Sequence, residues 1–135
     1  MPHRVLVVDD EETSRNMTRM VLEAAGFEVR SLESALGLAA VLAQEEPHIA
    51  LVDVVMPALP GPRAVEIVRR YFGTATAGAS RRCPIILYSA LDEAELRRVA
   101  LESGADGFIS KSTPLHQLPA EVRRHLHVMS AAAPV

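Results

Sequence analysis

The chain has 135 residues, a typical length for one domain, and 49% of them are hydrophobic, enough to form a core without disulfide or metal cross-links. Its net charge of -3 and the lack of a basic stripe argue against a nucleic-acid interface. The single cysteine, Cys83, is typical of a reducing compartment, and no apolar run is long enough to span a membrane. We therefore expect a soluble cytoplasmic domain that contacts neither nucleic acid nor membrane directly.

The first half of the chain alternates short apolar runs with longer helical patterns. The run RVLVV (Arg4–Val8) predicts a strand that is buried on both faces. Met17, Val21 and Ala25 then recur at helical spacing, which predicts a helix. Gly26 follows as its C-cap. The segments FEVRSL, ESALGLAAVLAQEE and IALVDV predict, in turn, a half-polar edge strand, a helix and a central strand.

The second half continues the alternation. GPRAVEIVRRYF predicts a helix with Pro62 near its first turn, and residues 73–82 (GTATAGASRR) predict a mobile loop. PIILYS and GFIS predict two more strands, separated by a helix from Asp92 to Gly104. The last predicted helix contains Pro119. Because proline cannot donate a helical hydrogen bond, we expect the regular helix to begin near that residue.

This order of elements predicts an α/β domain in which each of five strands is followed by a helix. Such alternation favours a parallel sheet that is covered by helices on both faces and connected by right-handed crossovers. In sheets of this kind, ligands bind outside the carboxyl ends of the strands. We predict that residues 1–128 form the domain and that residues 129–135 are a flexible tail or the start of a linker.

Polar residues lie at the carboxyl ends of four predicted strands: Asp9, Asp10, Asp53, Ser89 and Lys111. Because these ends meet at one edge of a parallel sheet, we expect the side chains to share one cleft. Three neighbouring carboxylates repel one another, and a hard divalent cation such as Mg²⁺ (magnesium) removes that repulsion. A carboxylate beside such a cation and an ammonium group is arranged to attack phosphorus, and aspartyl phosphates are established covalent species.

Each of these residues also has a simpler structural interpretation. Asp10 is equally well interpreted as the N-cap of the following helix, and Asp53 as a solvated strand end. Ser89 is a candidate cap for the fourth helix, in competition with Asp92. Lys111 taken alone is most simply a surface lysine. The occurrence of all these residues at strand ends on one side of the sheet favours a shared site.

Four segments, VLVVDDEE, ALVDVVMPALPG, ILYSA and GADGFISKS, occur in this order along the chain. With them the chain resembles the receiver domain of bacterial two-component response regulators, from about Arg4 to His127. The resemblance implies a flavodoxin-like, doubly wound (βα)5 fold whose parallel strands lie in the order 2-1-3-4-5. It also implies a phosphorelay signalling switch and not a separate enzyme, since receivers catalyse only their own phosphotransfer and a slow autodephosphorylation.

The resemblance further implies a role for each residue of the predicted cleft. Asp53 resembles the phospho-acceptor, and Lys111 the lysine that pairs with the phosphate. The implied Mg²⁺ ligands are the side chains of Asp9, Asp10 and Asp53 and the backbone carbonyl of Val55.

Signalling roles and partners are implied in the same way. Ser89 resembles the switch hydroxyl and Phe108 the switch aromatic, and together they repack the face formed by the fourth helix, fifth strand and fifth helix. Met56, Pro57 and Gly61 match the loop that shapes the site. The implied phosphodonor is a phosphohistidine of a sensor kinase or of a phosphotransfer protein. The other implied partners are a downstream protein or output domain and a homodimer that forms on phosphorylation.

Some features of the sequence leave alternatives open. Lys111 is followed by Ser112, where many receivers have proline, so this peptide bond is either trans or unusually strained. Val55 offers no polar side chain to position water, and we expect a phosphorylated state that is not unusually short-lived. Val55 also replaces the second aspartate of haloacid-dehalogenase-type phosphatases. The main rival interpretation is a receiver-like docking module that is never phosphorylated. Whether the domain acts alone or within a longer regulator is open.

Overall fold

A computed structural model describes residues 2–56, 59–72 and 83–132 of the chain. The predicted mobile loop at residues 73–82, Pro57 of the predicted site loop and the last three residues lie outside this part. Within it, no helix is long and apolar enough to cross a membrane.

The described chain alternates strands and helices as the sequence predicts. The strands are β1 (Arg4–Val8), β2 (Glu28–Leu32), β3 (Ile49–Val52), β4 (Ile85–Ser89) and β5 (Gly107–Ser110). The helices are α1 (Glu12–Ala24), α2 (Leu38–Glu45), α3 (Gly61–Phe72), α4 (Glu93–Ser103) and α5 (Leu118–Ala132). Short 3-10 turns at Ala35–Gly37 and Leu115–Gln117 precede α2 and α5.

All five strands form one parallel sheet in the order β2-β1-β3-β4-β5, which confirms the predicted flavodoxin-like topology. The half-polar β2 lies at an edge and β3 lies in the centre, also as predicted. The strand order reverses at β1, which pairs with both β2 and β3. Val8 at the end of β1 lies opposite Val52 at the end of β3, so the residues that follow these two strands emerge side by side.

The alternation of side chains along the strands divides the core into two clusters, one on each face of the sheet. Leu6, Ala50 and Leu87 belong to the cluster that α2, α3 and α4 cover. Val7 and Leu51 belong to the cluster that α1 and α5 cover. All of these strand residues are at most 1% exposed, as expected for a parallel sheet between two helical layers.

The ends of α1 and α4 show how local sequence limits the helices. The N-cap of α1 is Glu11, not Asp10, and its side chain makes no capping hydrogen bond, so the cap interpretation of Asp10 is wrong. The side chain of Asp92 does cap α4 and accepts a hydrogen bond from the Glu95 amide at 3.0 Å. Gly26 and Gly104 follow α1 and α4 with positive φ angles, a conformation that glycine adopts without steric cost.

The buried stripe of α1 differs from the predicted one. Thr18 and Leu22 are buried, and Val21 and Ala25 pack against the core at its border. Met17, in contrast, is 47% exposed. Thr18 takes the inner position, where its hydroxyl influences the pKa of the buried Tyr88, and an apolarity pattern does not register a polar residue of this kind.

Helix α5 begins one residue before Pro119, as the sequence predicts, because a proline in the first turn costs no intrahelical hydrogen bond. Its preceding 3-10 turn contains Leu115, and Pro119 itself is buried. The helix extends to Ala132 and therefore includes the first four residues of the predicted tail.

Candidate functional site

The carboxyl ends of β1 and β3 bring the predicted acidic residues together. Asp9 follows β1 and Asp53 follows β3, and the Asp53 amide donates a hydrogen bond to the Val8 carbonyl at 3.0 Å. Oxygen atoms of Asp9, Asp10 and Asp53 all lie within 4.8 Å of one another. Asp9 is buried, Asp53 is half-buried and Asp10 is exposed, so the cluster opens to solvent on the Asp10 side. Three carboxylate oxygens at this spacing are the donor set that a hard divalent cation prefers.

Lys111, which follows β5, completes the cluster. Its Nζ lies 3.0 Å from Asp9 Oδ2 and 3.4 Å from Asp53 Oδ2. The backbone reinforces this placement, because the Lys111 amide donates to the Ser89 carbonyl at 2.7 Å. The structure thus brings together the two strand-end acids and the lysine that the sequence predicts at one edge of the sheet.

The pKa of Asp9 is lowered from its ordinary value. Burial is the largest single influence and opposes the charged form. It is outweighed by hydrogen bonds from the Glu11 amide, the Ser14 hydroxyl and the Lys111 ammonium, together with the positive charge of that ammonium. Asp9 is therefore a carboxylate at neutral pH, although its side chain is only 3% exposed.

The pKa of Asp53 is shifted in the opposite direction. Burial raises it most, the positive charge of Lys111 lowers it, and the negative charge of Asp9 raises it again. Burial also lowers the pKa of Lys111, but Asp53 and Asp9 outweigh that influence and raise it overall. The lysine thus stays protonated between two acids, while the charged form of Asp53 is less favourable than in water.

The loop after β3 shapes the site around Asp53. The Val55 amide approaches Asp53 Oδ1 at 3.4 Å, and the Val55 side chain is 67% exposed. Gly61 at the start of α3 donates to the Val54 carbonyl at 3.1 Å. A Cβ atom on Gly61 would lie 1.8 Å from the Asp53 carbonyl oxygen. Glycine is therefore required where α3 meets the backbone of the candidate acceptor.

The two predicted switch residues, Ser89 and Phe108, lie on β4 and β5. Ser89 is buried at the end of β4, where its hydroxyl accepts a hydrogen bond from the Leu91 amide at 3.3 Å. Phe108 is half-buried on β5 and packs against the core cluster under α4. The Arg97 guanidinium of α4 lies 5.5 Å from the centre of its ring. Among the described residues, neither the Ser89 hydroxyl nor the Phe108 ring is a hydrogen-bond or ion-pair partner of the Asp53 carboxylate or the Lys111 ammonium, and Ser89 meets Lys111 through its backbone carbonyl.

The turn after Lys111 contains no cis peptide bond, since none occurs among the described residues. The bond to Ser112 is therefore trans, the less costly of the two alternatives. Serine side chains hold this turn. The Ser112 amide donates to Ser110 Oγ at 3.1 Å, and the two hydroxyls lie 2.7 Å apart.

Two parts of the site were not predicted. Ser14 on α1 lies 3.1 Å from Lys111 Nζ and also helps to lower the pKa of Asp9. Tyr88 on β4 places its ring 5.3 Å from the same Nζ atom. A hydroxyl side chain in the first turn of the helix after the Asp9–Asp10 pair is a signal that Thr13 and Ser14 share, and nothing in PIILYS marks Tyr88 as a neighbour of the lysine.

Comparison with known proteins identifies the family. The family model of the response regulator receiver domain matches residues 5–123 of the sequence, and the chain belongs to this family. It is 31% identical over 123 residues to the response regulator MprA of Mycobacterium sp. (strain KMS). That match covers 91% of the chain and 50% of MprA, so the chain spans about half the length of this curated relative.

Solved structures agree with this assignment. A CheY-like response regulator receiver domain protein from Methanospirillum hungatei has the same fold, with a TM-score of 0.80, 22% identity and coverage of 98% of this chain and 100% of that one. The BeF3-activated N-terminal receiver domain of Klebsiella pneumoniae RstA superposes with a TM-score of 0.77, 25% identity and coverage of 92% and 98%. The chain is thus a receiver domain of two-component signalling, and its aspartate cluster is consistent with a phosphorylation site.

Proposed function

We propose that this receiver domain is a phosphorylation-dependent signalling switch whose phospho-acceptor is Asp53. The observation that carries the proposal is the contact set of this carboxylate, which lies beside Asp9 and Asp10 and 3.4 Å from the Lys111 ammonium. An Asp53 oxygen attacks the phosphorus of a phosphohistidine, the phosphorus–nitrogen bond breaks, and the imidazole leaves. Lys111 balances negative charge on the transferred group.

Mg²⁺ is the proposed cofactor. The side chains of Asp9, Asp10 and Asp53 and the backbone carbonyl of Val55 would hold it, and the shared 4.8 Å spacing of the three carboxylates supports this assignment. When bound, the cation would neutralise charge on the transferring phosphoryl group. Asp10 is the most exposed of the three acids and therefore the least costly for the cation to reach.

The lifetime of the phosphorylated state follows from the neighbour of Asp53. Val55 is largely exposed but carries no group that orients water, so we propose that autodephosphorylation is slow and that the domain catalyses only its own phosphotransfer. Val55 also stands where a haloacid-dehalogenase-type phosphatase requires a second aspartate. A turnover enzyme of that class is therefore not favoured.

We propose that the signal leaves the site through Ser89 and Phe108. A phosphoryl group adds about 1.5 to 2 negative charges and three acceptor oxygens, which attract the Ser89 hydroxyl from its contact with the Leu91 amide. The space that Ser89 leaves admits Phe108, and the surface of α4, β5 and α5 is repacked. This is a population shift between two arrangements of the same domain.

The proposed partners follow from this role. The phosphodonor is a sensor histidine kinase or a histidine phosphotransfer protein, which places the reaction in the cytoplasm. The receiver of the signal is a downstream protein, an output domain or a second copy of the chain that associates on phosphorylation. Because the chain matches half of MprA, an output domain joined to it in a longer regulator is one form of this proposal.

A direct test is to incubate the chain with Mg²⁺ and acetyl phosphate and to measure phosphate uptake by intact mass spectrometry. We expect one added phosphoryl group in the wild type, none in Asp53→Asn, and normal uptake in Glu66→Gln, an exposed control on α3. Removal of Mg²⁺ with a chelator should abolish uptake. A wild-type chain that takes up no phosphate from any donor would instead support a docking module that uses only the fold.

A further inference from the structure

The surroundings of the Lys111 ammonium contain one partner that phosphoryl transfer chemistry does not require. An ammonium group has three N–H donors. In the structure they meet three acceptors, at 3.0 Å from Asp9 Oδ2, 3.1 Å from Ser14 Oγ and 3.4 Å from Asp53 Oδ2. The third contact is the longest, so the resting lysine is held more closely by Asp9 and Ser14 than by the candidate acceptor.

Ser14 is suited to this position by the chemistry of a hydroxyl, which has one donor and two acceptor sites. It accepts from Lys111 at 3.1 Å, and its hydroxyl also helps to lower the pKa of the adjacent Asp9 carboxyl. Helix α1 fixes its backbone, and the neighbouring Arg15 side chain ties this turn to the end of β1 by donating to the Asp9 carbonyl at 2.7 Å. Ser14 is therefore placed by the fold and not by its contact with the lysine.

An aromatic ring also lies beside the Lys111 ammonium. The Tyr88 ring lies 5.3 Å from Nζ, within the range of a cation–π contact. Tyr88 is 5% exposed and its hydroxyl lies near Thr18 of α1, so the ring is enclosed by the core. Helix α1 thus supports the ammonium twice, directly through Ser14 and indirectly through Thr18.

We infer that Ser14 is a positioning residue that keeps the Lys111 ammonium directed at Asp53 when other groups occupy Asp9. This inference rests on the proposed function. A divalent cation held by the aspartate cluster would draw on the same Asp9 carboxylate that accepts from Lys111, and would so weaken that contact. Ser14, as a neutral hydroxyl, is a poorer ligand for the cation and remains available to the ammonium. One N–H then stays anchored on α1, and the other two are free for phosphoryl oxygens.

The inference predicts how hydroxyl removal affects phosphorylation. We expect Ser14→Ala to lower the rate constant for uptake from acetyl phosphate at saturating Mg²⁺ by about threefold to tenfold, the effect of one lost hydrogen bond to a charged group that water partly replaces. Ser14→Thr keeps the hydroxyl and should retain a rate close to wild type. Thr13→Ala removes an exposed hydroxyl from the same helix turn and should change nothing.

A double-mutant cycle separates positioning from a general structural effect. In a Lys111→Met background, Ser14→Ala should have no further effect on the rate, because there is no ammonium left to position. The same loss with and without the ammonium, or equal rates for wild type and Ser14→Ala, would overturn the inference while leaving the proposed function intact. A wild-type chain without any uptake would refute the proposed function and the inference with it. Circular dichroism of each variant confirms folding, and Ser14→Thr provides the comparison if Ser14→Ala is unfolded.

Discussion

The parallel strands begin at one edge of the sheet and end at the opposite edge, and each of these two edges contains an aspartate. The charges around these two aspartates differ. At the edge where β4 and β5 begin, Asp106 accepts a hydrogen bond from the Ile85 amide at 2.8 Å and pairs with the Arg69 guanidinium of α3. Arg69 also donates to the Gly104 carbonyl at 3.2 Å. At the opposite edge, three carboxylates lie together and Lys111 contacts two of them.

This difference separates an aspartate that holds the fold together from one that is available for chemistry. The Asp106 charge is matched by a guanidinium and connects α3 to the first residues of β4 and β5. The carboxylates of Asp9, Asp10 and Asp53, which we call the upper cluster, carry more negative charge than the Lys111 ammonium neutralises. Such an excess of negative charge persists in a folded chain at a cost in stability. We therefore expect neutralising substitutions to have opposite effects on stability at the two edges.

The largest expected effect is at the matched edge. Asp106→Ala leaves the Arg69 guanidinium, which is 16% exposed, without its carboxylate and removes the acceptor of the Ile85 amide. We expect the free energy of unfolding to fall by about 3–5 kcal/mol, the usual cost of breaking a buried ion pair. Urea denaturation followed by circular dichroism measures this change.

The control for this substitution is Glu66, which lies on α3, the helix that contains Arg69. Glu66 pairs with Arg63 at 3.3 Å on the exposed face of α3, and Glu66→Ala should change stability by less than about 1 kcal/mol. Equal small losses of stability for the two variants would mean that Asp106 does not hold together the edge where β4 and β5 begin. The comparison between the two edges would then lose its basis.

A smaller loss of stability is expected for substitution of Gly61, because α3 packs closely against the Asp53 backbone at this residue. Gly61→Ala places a methyl group against the Asp53 carbonyl oxygen, so the start of α3 or the backbone of Asp53 must shift. We expect a loss of about 1–3 kcal/mol, the usual cost of overpacking, together with slower phosphate uptake. Thermal unfolding and the acetyl phosphate assay measure the two effects.

Gly37 provides a matched comparison because a Cβ atom there would meet nothing within 4 Å. Gly37→Ala should leave uptake unchanged and stability equal or higher by about 0.4–1 kcal/mol, since alanine reduces the freedom of the unfolded chain. If Gly61→Ala were as well tolerated as Gly37→Ala, the loop around Asp53 would be more adaptable than its close packing suggests.

The strands and helices could be predicted almost completely from the sequence because their signals are local, whereas the strand order was predicted from the resemblance to receiver domains. Nearly all-apolar runs marked the buried strands, and punctuating residues such as Asp92, Gly104 and Pro119 marked the helix ends where the structure has them. The position of the candidate site followed from a general rule, since the acids lie where parallel strands end at a reversal of strand order.

The remaining features depend on contacts between distant parts of the chain. Ser14 meets Lys111 across 97 positions, and no local pattern distinguishes it from Thr13. Thr18, a polar residue, is buried on α1 near Tyr88, whereas the predicted apolar stripe placed Met17 there. Asp106 and Asp53 are the same residue type at strand ends, and only the tertiary structure shows which of them has a guanidinium as its partner.

The smallest expected effect, with the opposite sign, is at Asp53. Burial and the negative charge of Asp9 raise its pKa in spite of Lys111, so the folded chain binds this proton more tightly than the unfolded chain does. At neutral pH the ionised carboxylate therefore costs stability. Asp53→Asn should raise the free energy of unfolding in metal-free buffer by about 0.5–2 kcal/mol, the range of most stabilising single substitutions.

The pH dependence identifies the cause of this gain. Above the folded-state pKa of Asp53 the gain should be complete, and it should shrink as the pH falls from there towards the ordinary value of 3.8, because protonation neutralises the wild-type side chain too. Glu33→Gln, an exposed control that follows β2 at the same edge, should change stability by less than about 0.5 kcal/mol. A loss of stability in Asp53→Asn at neutral pH would show that attraction to Lys111 outweighs burial and repulsion. The upper cluster would then be as well matched in charge as Asp106 and Arg69.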